Sequence, residues 1–225
     1  MTSGRTVRAR PAHAATSPAT TASALRVYSY IVARDFGFAP NPFFGWCTLA
    51  TCKPVIRRTA RVGDWVLGSG SADKGRSGRA IYAMRVQEAM TFGEYWADPR
   101  FAHKRPDLRA SKKIAFGDNI YRPDSSGGWR QLDSHHSLHD GNPNPLNVVA
   151  DTATDRVLVS QDFIYWGGDG PAVPEHLRSF GEASEDLCCK NRGHRCLFDA
   201  ALVRAAVAWF ESFADHGLRG RPGDW

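Results

Sequence analysis

Between Arg34 and Trp46 the chain reads Arg-Asp-Phe-Gly-Phe-Ala-Pro-Asn-Pro-Phe-Phe-Gly-Trp. Two prolines withhold backbone donors and two glycines weaken any regular element, so this run can be neither helix nor strand. With four Phe and a Trp it is also far too apolar for an ordinary surface loop. A chain that carries it must bury irregular backbone against a substantial framework, and the flanks indicate what that framework is.

Residues 26–33, Arg-Val-Tyr-Ser-Tyr-Ile-Val-Ala, are β-branched and aromatic without a breaker and predict a strand. Residues 48–52 read as a short extended piece, and 54–60 as a helical turn with Pro near its start. Gly63-Asp64 introduces a strand over 65–69, and a Gly/Ser-rich turn at 70–78 leads into a second strand over 79–88, which makes a hairpin with a long tip. Thr91 with Glu94 three residues on is a capping box for a helix over 92–102. Strand signals recur at 114–121 and 155–166, and 122–153 is mostly loop. Asp199 caps a final helix whose Leu202, Ala206, Trp209, Phe210 and Phe213 share a face, with Gly217 as its stop.

The 225 residues suffice for one substantial domain and not for two with a linker. Residues 1–24 have no acid, no aromatic and almost no large apolar side chain, so they are expected to be a disordered tail. The single domain is expected over 25–217, with 218–225 a flexible end. No apolar run approaches the roughly 18 residues of a membrane helix, so no membrane partner is expected.

The net charge of +6 is unevenly distributed: +4 over residues 1–52, +8 over 53–113 and −6 over 114–225. A basic middle beside an acidic C-terminal half points to a polyanionic partner. Five cysteines without an apolar signal core favour the reducing cytoplasm. Arg outnumbers Lys by 23 to 6, which hints at a GC-rich bacterial genome.

The order of elements over 53–88 (a short basic helix, a Gly-Asp-led strand, a Gly/Ser turn and a return strand) is similar to the core of the PUA-like β-barrels, including the EVE group. Seven phrases carry a more specific resemblance: RVYSYIVARDFGFAPNPFFGWCTLATCKP (26–54), VGDWVLGSG (62–70), YAMRVQEAMTFGEYW (82–96), FGDNIY (116–121), DSHHSLHDG (133–141), DRVLVSQDFIYWG (155–167) and GHR (193–195). Through them the chain resembles the nucleotide modification associated domain 2 family. The resemblance implies a setting in DNA base modification, possible companions from such a system, and no reaction or cofactor. The expected fold is α+β, either a PUA-like small β-barrel or a strongly curved mixed sheet with flanking helices.

Taking up a base outside a duplex needs aromatic faces and a few polar groups for its edges. Phe43, Phe44, Trp46, Tyr95 and Trp96 are the candidate faces, and Lys53, Arg57 and Arg58 the candidate phosphate contacts. Ser69, between two glycines, marks the expected pocket, with Asn119, His194 and Arg195 as further polar contacts. The 133–141 loop packs three His and two Asp into nine residues; His135, His136 and Asp140, with Asp118, form the candidate acid–base group. Its spacing matches no well-defined metal motif, and Cys188, Cys189, His194 and Cys196 lack the paired spacing of a zinc site, so no metal is expected. Phosphate-loop, dinucleotide and zinc-protease motifs are absent. The leading expectation is a module that binds a nucleic acid or nucleotide through a modified base. The alternatives are an enzyme acting on nucleotides or DNA bases through the Asp118/His135/His136/Asp140 group, and a purely structural partner.

Overall fold

The structure, a computed structural model, describes residues 24–225. The expected tail at 1–24 lies, but for its last residue, outside the described residues. In chain order the strands and helices are β1 (Val27–Val32), β2 (Cys47–Leu49), α1 (Pro54–Thr59), β3 (Trp65–Gly70), β4 (Ala80–Arg85), β5 (Glu88–Met90), α2 (Phe92–Ala97), α3 (Lys112–Ala115), β6 (Tyr121–Pro123), β7 (Trp129–Gln131), α4 (Pro145–Asp151), β8 (Val157–Ser160), β9 (Phe163–Tyr165), α5 (Ala200–Glu211) and β10 (Gly217–Leu218). Among the described residues no helix is long and apolar enough to cross a membrane.

The fold is α+β with three sheets: a mixed one in the order β1-β3-β4-β9-β10, an antiparallel one in the order β2-β8-β5, and the β6-β7 ribbon. None of them closes into a barrel, so of the two expected forms the mixed sheet describes the strand arrangement and the closed barrel does not. Alternation along the strands distributes the cores. Val27, Trp65, Leu67 and Ala83 pack against Leu202, Ala206 and Phe210 of α5. Tyr28, Tyr30, Val66, Tyr82 and Met84 face the other way, onto Cys47, Leu49 and Leu158 of the second sheet and Ile56 of α1. The two glycines flanking Ser69 do allow close approach, but to the protein itself: a Cβ on Gly68 would run into the Tyr82 ring and one on Gly70 into Arg76.

Several expectations are corrected in detail. The capping box at Thr91/Glu94 is present, but α2 ends at Ala97 and a 3₁₀ turn, Pro99–Lys104, follows, because Pro99 cannot continue an α-helix. The strand expected over 114–121 is a helical turn and the start of β6. That expected over 155–166 is interrupted at Gln161 and Asp162 into β8 and β9, which run on in one direction antiparallel to β5 and β4. The apolar run 34–46 is buried irregular backbone, satisfied from within. Asn41 donates to the Gly37 and Phe116 carbonyls, and the buried Lys104 ammonium donates to the carbonyls of Asn41 and Trp46, each at 2.9 Å.

Residues 218–225, expected as a flexible end, make defined contacts. Asp224 accepts from the Asp35 N–H and pairs with Arg76, the Gly223 N–H donates to buried Asp35, and the Trp225 indole donates to the Phe36 carbonyl while its ring stacks on Phe43. No apolar periodicity announces this, since the anchor is a charge network between distant residues. Deleting 219–225 strips Asp35 of a donor and its N–H of an acceptor, so unfolding in urea should show a loss of at least about 2 kcal/mol. A loss within about 0.5 kcal/mol would mean that the end contributes nothing.

Candidate functional site

A cavity of about 560 Å³ opens where β1 runs into the apolar loop and where β2 turns into α1. Phe36, Phe38 and Tyr30 give it aromatic walls, Arg34 and Lys53 give it cations, and Cys52, His135, His136 and His194 bring its reactive groups.

The turn that carries Cys52 is strained. Cys52 and Lys53 sit at φ 57° and 40°, a left-handed conformation that costs a non-glycine residue of order 1–2 kcal/mol. It places the thiol at a sharp strand-to-helix turn, the geometry that exposes a nucleophile in the elbow of the α/β hydrolases. The surroundings hold the strain. The Cys52 N–H donates to Asp151 Oδ1 at 2.7 Å, and its carbonyl accepts from Arg57 Nε at 2.8 Å. Arg57 is wholly buried and also donates to the carbonyls of Asp151, Thr154 and Arg156, clamping the start of α1 to the chain that follows α4.

Three side chains lie in series. Cys52 Sγ is 3.9 Å from His136 Nε2, and His136 Nδ1 is 2.6 Å from Asp151 Oδ2. Asp151 is buried and also accepts from the Tyr121 hydroxyl at 2.9 Å, which in turn accepts from Gln131 Nε2 at 2.9 Å. Gln131 and Asn147 both donate to the His136 carbonyl, so backbone and ring are fixed together. Burial drives His136 toward losing its proton, but the Asp151 carboxylate, helped by the Cys52 sulfur, more than reverses this and carries its pKa up to about 9. Its neighbour His135 goes the other way: burial, then the charges of His136 and Arg34, lower it to about 4. At neutral pH one imidazole is therefore a cation and the adjacent one a neutral base.

The same three groups lie within 4.8 Å of one another and have the chemistry to hold a cation. The bonding argues for a relay instead. His136 meets sulfur and carboxylate through opposite ring nitrogens, whereas a shared ion would take only one of them and displace the 2.6 Å hydrogen bond.

Of the residues expected in a site, Lys53, His135, His136 and His194 line the cavity. The others do not. Phe43 and Tyr95 are buried in the core, and Phe44 lies exposed beside His103. Trp46 packs edge-on to Phe101, while Trp96 lies beneath Arg105. Ser69 is buried and donates to the Tyr30 carbonyl. Asn119 donates to the carbonyls of Tyr95 and Phe101. Asp118 is buried, accepting from Thr48 and Tyr95, and Asp140 is bonded to Asn142 in an exposed turn, so the expected acid–base group of four does not assemble. Arg57 has its donors on carbonyls and cannot meet a phosphate, Arg58 is exposed outside the cavity, and Arg195 donates to the Asp186 carbonyl.

Cys52 and Asp151 were missed. Cys52 reads as the end of an extended piece, and Asp151 falls in a stretch that reads mostly as loop. One signal was available: Asn144 followed by Pro145 is a helix start, and Asn144 does accept from the Leu146 and Asn147 N–H groups, opening α4 with Asp151 at its end.

Fold and site together define an α+β protein with a thiol, an imidazole and a carboxylate in series at a cavity. Residues 24–225 match the model of nucleotide modification associated domain 2, and the chain belongs to that family. No curated protein and no solved structure matches it. The family's description gives nucleotide modification as the context.

Proposed function

We propose that the chain is an enzyme that attacks an electrophilic carbon of a nucleotide-derived substrate with Cys52, in place of the passive binding module expected from the sequence. The observation that carries this is the Cys52–His136–Asp151 series at 3.9 and 2.6 Å beside an aromatic cavity. In the attacking pair the thiol proton sits on His136 Nε2, Asp151 holds that imidazolium through Nδ1, and the sulfur attacks as thiolate. The sulfur–carbon bond forms as the bond from that carbon to the leaving group breaks, and the leaving group departs with the Nε2 proton. Water, deprotonated at Nε2, then displaces the sulfur. The family supplies the nucleotide context, and the Phe36 and Phe38 walls suit the face of a base.

Two measurements test this. Under limiting iodoacetamide, peptide mass spectrometry should find Cys52 alkylated well ahead of Cys189 and Cys196, with the preference reduced in His136→Ala. Incubated with a pool of nucleotides and common modified nucleotides, wild type should produce mass-shifted products, Cys52→Ala none, and His136→Ala about 10²–10⁴-fold less per unit time. Equal labelling of the three cysteines, or stoichiometric metal that disappears in Cys52→Ala, would overturn the thiol mechanism.

A further inference from the structure

We infer that the cavity beside Cys52 binds a free nucleoside 5′-monophosphate, with Lys53 and Arg34 taking the phosphate and the Phe36–Phe38 wall taking the base. The inference deepens the proposed function, on which it rests for the chemistry but not for the binding.

The sign of the cavity comes first. Its lining has Arg34, Lys53 and three histidines, one of them held as a cation by Asp151, and no Asp or Glu. Asp151 stands behind His136 and does not line it. Low-dielectric walls around charge of one sign focus the field on an anion.

Lys53 is the clearest element. Its ammonium lies 4.7 Å from the Tyr30 ring centroid and donates to the Gly193 carbonyl at 3.2 Å. An ammonium has three protons to give, and among the described residues no carboxylate pairs with Lys53 or with Arg34. Burial lowers the Lys53 pKa, opposed by the Cys52 and Cys189 sulfurs and aided by Arg192, so the charge is partly desolvated without the compensation a carboxylate would give. A bound phosphate supplies that compensation.

Size and surroundings favour the free nucleotide over a polymer. About 560 Å³ falls within the roughly 300–1,000 Å³ of small-molecule sites. Along α1 no track of cations leads a polymer away from the cavity, since Arg57 is folded inside and Arg58 does not line it, which leaves Arg192 as the neighbouring cation.

The test is equilibrium binding to the full chain carrying Cys52→Ser, which holds the ligand without chemistry. The probes are the four 2′-deoxynucleoside 5′-monophosphates, the matching nucleosides, inorganic phosphate and a short single-stranded oligonucleotide. The best monophosphate is expected to bind at least tenfold tighter than its nucleoside and to be competed by inorganic phosphate. Lys53→Met should shrink that advantage to under about threefold; should it fail to fold, Arg34→Ala carries the same comparison. Equal affinity for nucleoside and monophosphate, tighter binding of the oligonucleotide, or no monophosphate binding would each overturn the assignment. Cys52 labelling in ligand-free protein reports on the thiol mechanism separately, so either reading can fail alone.

Discussion

Replacing Arg57 by Met is expected to cost roughly 3–5 kcal/mol of stability, read as a shift in urea unfolding at constant slope. Met keeps most of the apolar stem, so the loss reports on the guanidinium. Arg57 is wholly buried and donates to four carbonyls, those of Cys52, Asp151, Thr154 and Arg156. Buried acceptors left without donors cost about 1–3 kcal/mol each before relaxation and water entry share the burden. Two of the four carbonyls belong to residues of the thiol–imidazole–carboxylate series, so the variant should also slow Cys52 alkylation. Arg58→Ala, one residue along on the exposed side of α1, should stay within about 0.5 kcal/mol. A loss below about 1 kcal/mol for Arg57→Met would show that water replaces the clamp.

The second large effect concerns Asp151. Asp151→Ala removes the acceptor used by His136, Tyr121 and the Cys52 N–H together, and breaking such a buried pair costs roughly 3–5 kcal/mol. Asp151→Asn keeps the shape and removes the charge, which exposes the pH linkage. His136 in the folded state has a pKa raised to about 9 from an unfolded value near 6.5, so its contribution is complete below about pH 6.5 and is lost as pH rises through about 9. That shift corresponds to about 3 kcal/mol at most. Lys104, lowered by burial to about 8, titrates in the opposite sense over part of the same range. It is common to both proteins, so the difference between wild type and Asp151→Asn isolates His136. That difference should shrink between about pH 6.5 and about pH 10, and a constant difference would mean that Asp151 does not hold a protonated His136.

Much of the framework could be read locally. β1, β3 and β4 follow from β-branched and aromatic runs bounded by Gly-Asp and Gly/Ser turns, and α5 from an apolar stripe with an Asp cap. Each depends on residues within a few positions of one another, where period and capping act directly. One of the three members of the reactive series was legible too, since three histidines in one short loop single out His135 and His136, and His136 belongs to it.

Whether a polar or aromatic side chain faces a ligand or the core was decided elsewhere. Tyr95 and Phe43 have the composition of a base platform yet lie in the core, while from the same apolar run the half-buried Phe36 lines the cavity and Phe38, itself a core residue, reaches its wall. Arg57 and Arg58 are adjacent and alike in sequence, but helical geometry turns one into the protein and the other out.

What the sequence by itself determined is therefore the set of elements and the need to bury an apolar irregular loop. Only the tertiary structure set Cys52 against His136, 84 positions away, and its N–H on Asp151, 99 positions away. No local pattern encodes such a meeting. It arises because Arg57 ties the turn after β2 to the end of α4, and because closing so long a loop is worthwhile only when packing over the whole domain offsets its entropy.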